Sequence, residues 1–138
     1  MAYLVDTCVL SEGAKRTINP PVEAWFESVR EEDRFVSVLS LAEIHYGILL
    51  LPHGRRRTDL ALWYEDTLRP SIGVRVVPFG EAEAVEWAML RAAYPNVHHT
   101  DSQIAATAIA HNLTLVTRNV KDFAFEGLSV INPWDSEC

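Results

Sequence analysis

The chain alternates short apolar runs with longer stretches whose apolar residues recur every three or four positions. Ala2 to Val5 is an unbroken apolar run that stops at Asp6, the pattern of a strand buried on both faces. Phe35 to Val38, Val74 to Phe79, Leu113 to Thr117 and Leu128 to Ile131 predict further strands. Helical stretches lie between them. Thr7 to Lys15 opens the first. Asn19-Pro20-Pro21 breaks the chain and starts a second, with Val22, Trp25, Phe26 and Val29 on one side and Glu31-Glu32-Asp33 closing it. Ser40, with Glu43 three residues later, forms a capping box for a helix running to about Leu51, before Pro52 and Gly54. Arg55 to Leu68 reads as a helix ending near Pro70. Gly80 to Ala93 spaces Ala84, Val85, Ala88 and Met89 helically. Thr100 to His111 carries the stripe Ile104, Ala105, Ala108 and Ile109, with Thr100 and Gln103 as its capping box.

Strands alternating with helices predict βαβ units, hence an α/β fold with a central parallel sheet of four to five strands covered on both faces. With 138 residues and no repeat, linker or low-complexity segment, residues 1–138 read as one domain. Open sheets of this kind bind ligands beyond the carboxyl ends of the strands, where strand order reverses.

Composition narrows the class. An apolar share of 49% with 22% charged residues argues against disorder. The net charge of −7 gives no general attraction to nucleic acid, so a phosphate-backbone partner needs a local basic patch or a metal ion. Two cysteines, Cys8 and Cys138, make no disulfide framework and point to a reducing compartment, the cytoplasm. No apolar run spans a bilayer and the N-terminus lacks a signal-peptide pattern, so no membrane role is expected.

Four acids fall where the chemistry of such a sheet is expected. Asp6 follows the first strand; it reads as a helix N-cap or as a site residue. Glu43 lies on a helix that is apolar nearly all round, so it is either a capping-box partner or a buried carboxylate needing a partner. Asp101 sits in the first turn of its helix, where the helix dipole also favours an acid. Asp122 follows the fourth strand, in a turn that Asn119 can cap. If the first and fourth strands are neighbours, these groups converge. Two unit charges 4 Å apart repel by about 4 kcal/mol at an effective dielectric of 20, so such a cluster favours a divalent cation. Oxygen-only ligands suit Mg²⁺ or Mn²⁺ rather than zinc.

These stretches also carry a family resemblance. Leu4 to Glu12, Ser37 to Ile48, Asp101 to Ala108, Leu115 to Phe123 and Asn132-Pro133-Trp134 resemble, in order, the segments of PIN-domain ribonucleases, specifically the VapC toxins of type II toxin–antitoxin systems and their FitB-like members. The resemblance implies a three-layer α/β/α sandwich and a Mg²⁺- or Mn²⁺-dependent endoribonuclease. It makes Asp6, Glu43, Asp101 and Asp122 the acidic quartet, Asp6 and Asp101 the direct metal ligands, and Thr7 and Asn119 supporting residues. Some members carry an acid where this chain has Asn119, which leaves Asp122 as the available fourth acid. The resemblance further implies an RNA substrate, a homodimer, and a VapB-type antitoxin through which alone the chain would meet DNA.

Other features have plainer readings. Arg55-Arg56-Arg57, the one dense basic run, is a solvated helix end or an RNA contact; Arg118 and Lys121, nearer the acids, are the alternative phosphate contacts. His98-His99 lacks the partners of a zinc site. Trp25, Trp63, Trp87 and Trp134 read as packing anchors and Cys8 as a small core residue. Two rival functions stay open. A small-molecule phosphohydrolase would use Asp6 as nucleophile, but would want an acid two residues later, where Cys8 stands. A non-catalytic module would serve as a partner in a DNA-bound regulatory complex.

Overall fold

A computed structural model describes residues 1–135; Cys138 lies outside the described residues. Five strands form one parallel sheet: β1 (Tyr3–Val5), β2 (Arg34–Ser37), β3 (Val76–Val77), β4 (Thr114–Val116) and β5 (Val130–Ile131), in the order β3-β2-β1-β4-β5. Helices α1 (Thr7–Glu12), α2 (Pro20–Ser28), α3 (Val38–Leu50), α4 (Arg55–Trp63), α5 (Arg69–Ile72), α6 (Glu81–Ala93) and α7 (His99–Ala110) connect the strands. The alternation of adjacent side chains along β1 explains the layering. Val5 faces α1 to α5 in a cluster with Val9, Val22, Val36, Ile44, Ile48 and Leu68. Leu4 faces α6 and α7 with Leu90, Ile104, Ala108 and Leu115. This is the expected three-layer α/β/α sandwich. No helix of the described residues is long and apolar enough to cross a membrane.

Strand order reverses between β1 and β4. From β1 the chain moves through β2 to β3, then crosses to β4 on the other side of β1. The registers Tyr3↔Thr114 and Val5↔Val116 bring the two carboxyl ends level. Asp6 N–H still bonds Val116 C=O at 2.9 Å, so Asp6 is held at the sheet edge before α1 begins.

Several elements differ locally from the sequence pattern. Helix α3 begins earlier than Ser40: Ser37 is its cap, accepting the Leu39 N–H at 3.0 Å. Ser40 is instead buried inside the helix. Only one face of α3 is covered, by Leu41, Ile44 and Ile48, so its outer residues, Glu43 included, are exposed. An all-round apolar helix therefore does not mean a buried one here. Helix α7 starts at His99 with His98 at its N-cap position, making no side-chain cap, so the Thr100/Gln103 box does not form. The Arg55 stretch runs past Pro70: a π turn (Tyr64–Leu68) joins α4 to α5. Pro70 has no N–H to give the preceding turn, and the widened turn absorbs that loss. Helix α5 ends at Gly73, whose positive φ of 59° favours glycine.

On the far layer, buried Glu83 closes the α6 cap by accepting the Gly80 N–H at 2.8 Å and reaches His111 at the end of α7. That contact ties together the two helices that cover the second face of the sheet. The four tryptophans serve as packing anchors. Trp25 meets Tyr3 and Phe26 edge-on, Trp87 donates to Ser102 Oγ at 3.0 Å, and Trp63 and Trp134 pack against the core around Val5.

Candidate active site

Four separate segments deliver acids to the carboxyl ends of β1 and β4. Asp6 is 6% exposed and occupies the N-cap position of α1 without capping it. Its carboxylate looks across to β4 instead: Thr117 Oγ1 donates to Asp6 Oδ2 at 2.8 Å. Thr117, fully buried, also accepts the Asn119 N–H at 3.1 Å, so the turn after β4 fixes the hydroxyl that fixes Asp6. Cys8 Sγ lies 3.5 Å from Thr117 Oγ1 and 3.8 Å from Asp6 Oδ2 and accepts the Arg118 N–H at 3.4 Å. Cys8 thus packs against the core around Val5, as expected, and also walls the acidic site.

Burial pushes the Asp6 carboxyl above its ordinary value, and bonds from Thr117, the Thr7 backbone and Cys8 only partly offset it. Asp101, half-buried in the first turn of α7, is also pushed up. Desolvation is the largest cause; the charges of Asp122, Asp6 and Glu43 add to it, and His98 opposes it. Asp101 therefore feels all three other acids, from β1, α3 and the turn after β4. Glu43 is held by Thr7, whose Oγ1 donates to Glu43 Oε1 at 2.6 Å across the α1–α3 gap. That bond replaces the expected capping box. Asp122 is exposed in a 3₁₀ turn (Val120–Phe123), and the Asn119 side chain does not cap it.

The donor set is chemically suited to a hard divalent cation. All four side chains offer carboxylate oxygens, and among the described residues no Lys or Arg pairs with any of them. As placed, no three His, Cys, Asp or Glu side chains of the described residues close on a single point. The site is an electrostatic convergence that a bound cation would draw together.

A family model described as PIN domain matches residues 3–124. The chain belongs to the PIN-domain family. Among curated relatives, Toxin FitB of Neisseria gonorrhoeae is 35% identical over 136 residues, covering 95% of this chain and 97% of that protein. VapC ribonuclease Y4jK of Sinorhizobium fredii is 33% identical over 136 residues, covering 96% of this chain and 97% of its own. A solved structure of FitAB bound to an IR36 DNA fragment has a chain that superposes with a TM-score of 0.88 at 32% identity, covering 99% of this chain and 98% of that one. The α/β fold and the family resemblance of the sequence agree with these matches.

Within this PIN domain the residues singled out in the sequence separate into two groups. Asp6, Glu43, Asp101 and Asp122 lie around the β1/β4 switch point, with Thr7 bonded to Glu43, but no three of the acids close on one point. Arg55 and Arg56 line a cleft that reaches Thr7 and Glu43, whereas Arg57 is half-buried and donates to Leu51 C=O at 3.3 Å. Arg118 stacks on Trp134, its guanidinium 4.9 Å from the ring centroid. Lys121 is exposed beside Asp122. His98 and His99 sit at the start of α7, His99 edge-on to Trp87. Sequence reasoning missed Thr117 and the contact of Cys8 with Asp6. Thr117 was readable only as a strand residue, since nothing along the chain links it to Asp6, 111 positions away.

Replacing Thr117 tests its positioning role. Thr117→Val leaves the buried Asp6 carboxylate without its side-chain donor and should cost about 1–3 kcal/mol in urea unfolding at neutral pH. The Asp6 carboxyl should titrate higher still in carboxyl-resolved NMR. Thr117→Ser, which keeps the hydroxyl, should restore both; equal behaviour of the two variants would make Thr117 a mere space-filler.

Proposed function

We propose that this chain is the toxin of a type II toxin–antitoxin pair and hydrolyses RNA phosphodiester bonds as a Mg²⁺- or Mn²⁺-dependent endoribonuclease. The observation that carries the reading is geometric: at the β1/β4 switch point of a PIN domain, Thr117 fixes the Asp6 carboxylate and Thr7, the next residue, holds Glu43, while Asp101 opens α7 and Asp122 follows β4 on the same side. The names of the relatives, one a toxin and one a ribonuclease, support it. We read residues 1–138 as one domain.

Asp6 and Asp101, both pushed up by burial, would hold the cation directly. A divalent ion there supplies positive charge for the phosphate and leaving oxygen and lowers the pKa of a water. The chain's own residues do the placing. Thr117 fixes which way the Asp6 carboxylate turns. Thr7 holds Glu43 Oε1, which leaves Oε2 to accept a hydrogen bond from a water. Asp122 and Asn119 border the site from the β4 side. Arg118, braced on Trp134, and Lys121, in the turn after β4, would meet a phosphate, and Arg55 and Arg56 would extend that contact; Arg57 is committed to the backbone of Leu51. Cleavage of an RNA panel by the purified chain with Mg²⁺ or Mn²⁺, and its loss in chelator, is the test; RNA left intact under both ions would end the reading.

The partner reading follows the same family. A VapB-type antitoxin would cover the acidic site, with DNA met only through it, in keeping with FitAB being seen on a DNA fragment. A cytoplasmic location fits this pairing. The exposed apolar side chains Tyr46, Leu49 and Leu50 on α3 and Leu62 on α4 favour a homodimer. Light scattering of the isolated chain should give twice its mass of 15.5 kDa at micromolar concentration; a monomer throughout would refute the dimer.

A further inference from the structure

We propose that the cleft between α1 and the α3/α4 pair is the track by which single-stranded RNA reaches the acidic site, with Arg16, Arg55 and Arg56 on its phosphates and Gly47 where the strand comes closest to the protein. This rests on the ribonuclease reading and says where and how the substrate lies. The cleft has a volume of about 1140 Å³, and Thr7 and Glu43 are among its walls, so it is continuous with the acids.

Charge gives the first argument. Arg16, Arg55 and Arg56 are exposed, and among the described residues none has a carboxylate within 4.0 Å. Nearby cations are already committed: Lys15 pairs with buried Glu12 at 2.9 Å, and Arg57 donates to Leu51 C=O. On a chain of net charge −7, three free guanidiniums lining one cleft are a local reversal of sign. Asp59 is the one carboxylate set among them besides Glu43. Between the cations the surface is apolar, with Ile48, Leu60 and Trp63. Cationic rims over an apolar floor match a single strand, whose phosphates and exposed base faces can be met together. A duplex hides its base faces and fits such a cleft poorly.

Gly47 gives the second argument, independent of charge. It stands in the interior of α3, where glycine loses more backbone freedom than any other residue. The fold does not require it: a Cβ built there would meet nothing within 4 Å, and its φ is not positive. The space it leaves open belongs to the cleft, one helical turn beyond Glu43. A residue that weakens the helix and relieves no internal clash is accounted for by a ligand that needs the room.

The test separates binding from hydrolysis. A short labelled single-stranded RNA, and the same sequence as a duplex, are titrated onto the Asp6→Asn protein in chelator; hydrolysis is followed separately with otherwise unmodified chains. Replacing Arg16, Arg55 and Arg56 together by Gln should weaken single-strand binding about tenfold or more near physiological salt and flatten the log–log salt slope by about 2. The duplex should bind more weakly than the single strand. Gly47→Ala should raise Tm by about 2–4 °C while weakening RNA binding, and Gly47→Leu should weaken it further. Unchanged affinity and salt slope in the triple variant, or a folded Gly47→Leu protein that binds and cleaves RNA like its parent, would overturn the track, whatever either change does to antitoxin binding. If cleavage that depends on Asp6 persists while the cleft variants behave as the parent, the track fails and the ribonuclease reading stands. If the parent cleaves no RNA with any divalent ion, the ribonuclease reading itself fails and the track with it.

Discussion

Asp6→Asn and Asp101→Asn are each expected to lower RNA cleavage more than about a hundredfold, with little change in RNA binding measured in chelator. The scale follows from metal sites generally, where removing even an outer partner of a ligand costs about 10–100-fold. These two residues would touch the ion itself. Asn keeps the size and one oxygen of Asp but removes the charge that a hard cation requires. Folding should survive. Asp6 is a buried carboxylate already pushed up by desolvation, so replacing it with a neutral amide removes a charge that burial disfavours. The Thr117 hydroxyl can still donate to the oxygen of the amide that takes the carboxylate's place. A single-turnover assay at saturating RNA, beside a thermal melt, reads both quantities. Near-parental cleavage by either variant would remove that residue from the mechanism.

The second large effect is on stability. Adding Mg²⁺ or Mn²⁺ at about 100 times its Kd should stabilise the folded chain by about 2.7 kcal/mol, because the ion binds the folded site and not the unfolded chain. The pH dependence of the metal-free protein has a definite sign. Asp6 and Asp101 have folded pKa values raised above 3.8, so the folded state keeps protons that the unfolded chain has already lost. Their contribution is therefore most favourable below pH 3.8. It falls as pH rises through that value to the raised folded pKa, and stays unfavourable at neutral pH. Added cation should remove that penalty at neutral pH and do little once both acids are protonated. Asp6→Asn should abolish most of the metal-induced rise in Tm. A rise of equal size in the parent and in Asp6→Asn would place the ion elsewhere.

The rival readings of Asp6 meet a specific obstacle. A phosphohydrolase that used Asp6 as nucleophile would want a second acid two residues on. The residue there is Cys8, whose thiol lies along Asp6 and Thr117 and which burial pushes up, keeping it a neutral thiol. It walls the site and offers no second carboxylate there.

What could be read from the sequence was the set of residues whose roles depend on local neighbours. The apolar run Ala2 to Val5 ending at Asp6 fixed the first strand and put an acid at its carboxyl end. The alternation of strands and helices fixed a parallel sheet with two covered faces, since parallel strands need crossovers that lie on the sheet. The family segments then put Glu43, Asp101 and Asp122 in view. Local rules erred where a distant partner won. Glu43 satisfies a helix-capping pattern, yet Thr7 on another helix takes its oxygen. Asp6 stands at an N-cap, yet its carboxylate answers to Thr117.

The tertiary structure alone decided which side chains meet. Strand order, with β4 laid against β1, brings Thr117 to Asp6 across 111 positions, and no periodicity encodes that pairing. It also sorted the arginines: Arg57 turns inward to a carbonyl while Arg55 and Arg56 join Arg16 around one cleft. Finally it left the outer face of α3 uncovered, although its composition reads as core. Secondary structure follows from side chains close in sequence, whereas charge, burial and reactivity are set by whatever the fold packs alongside.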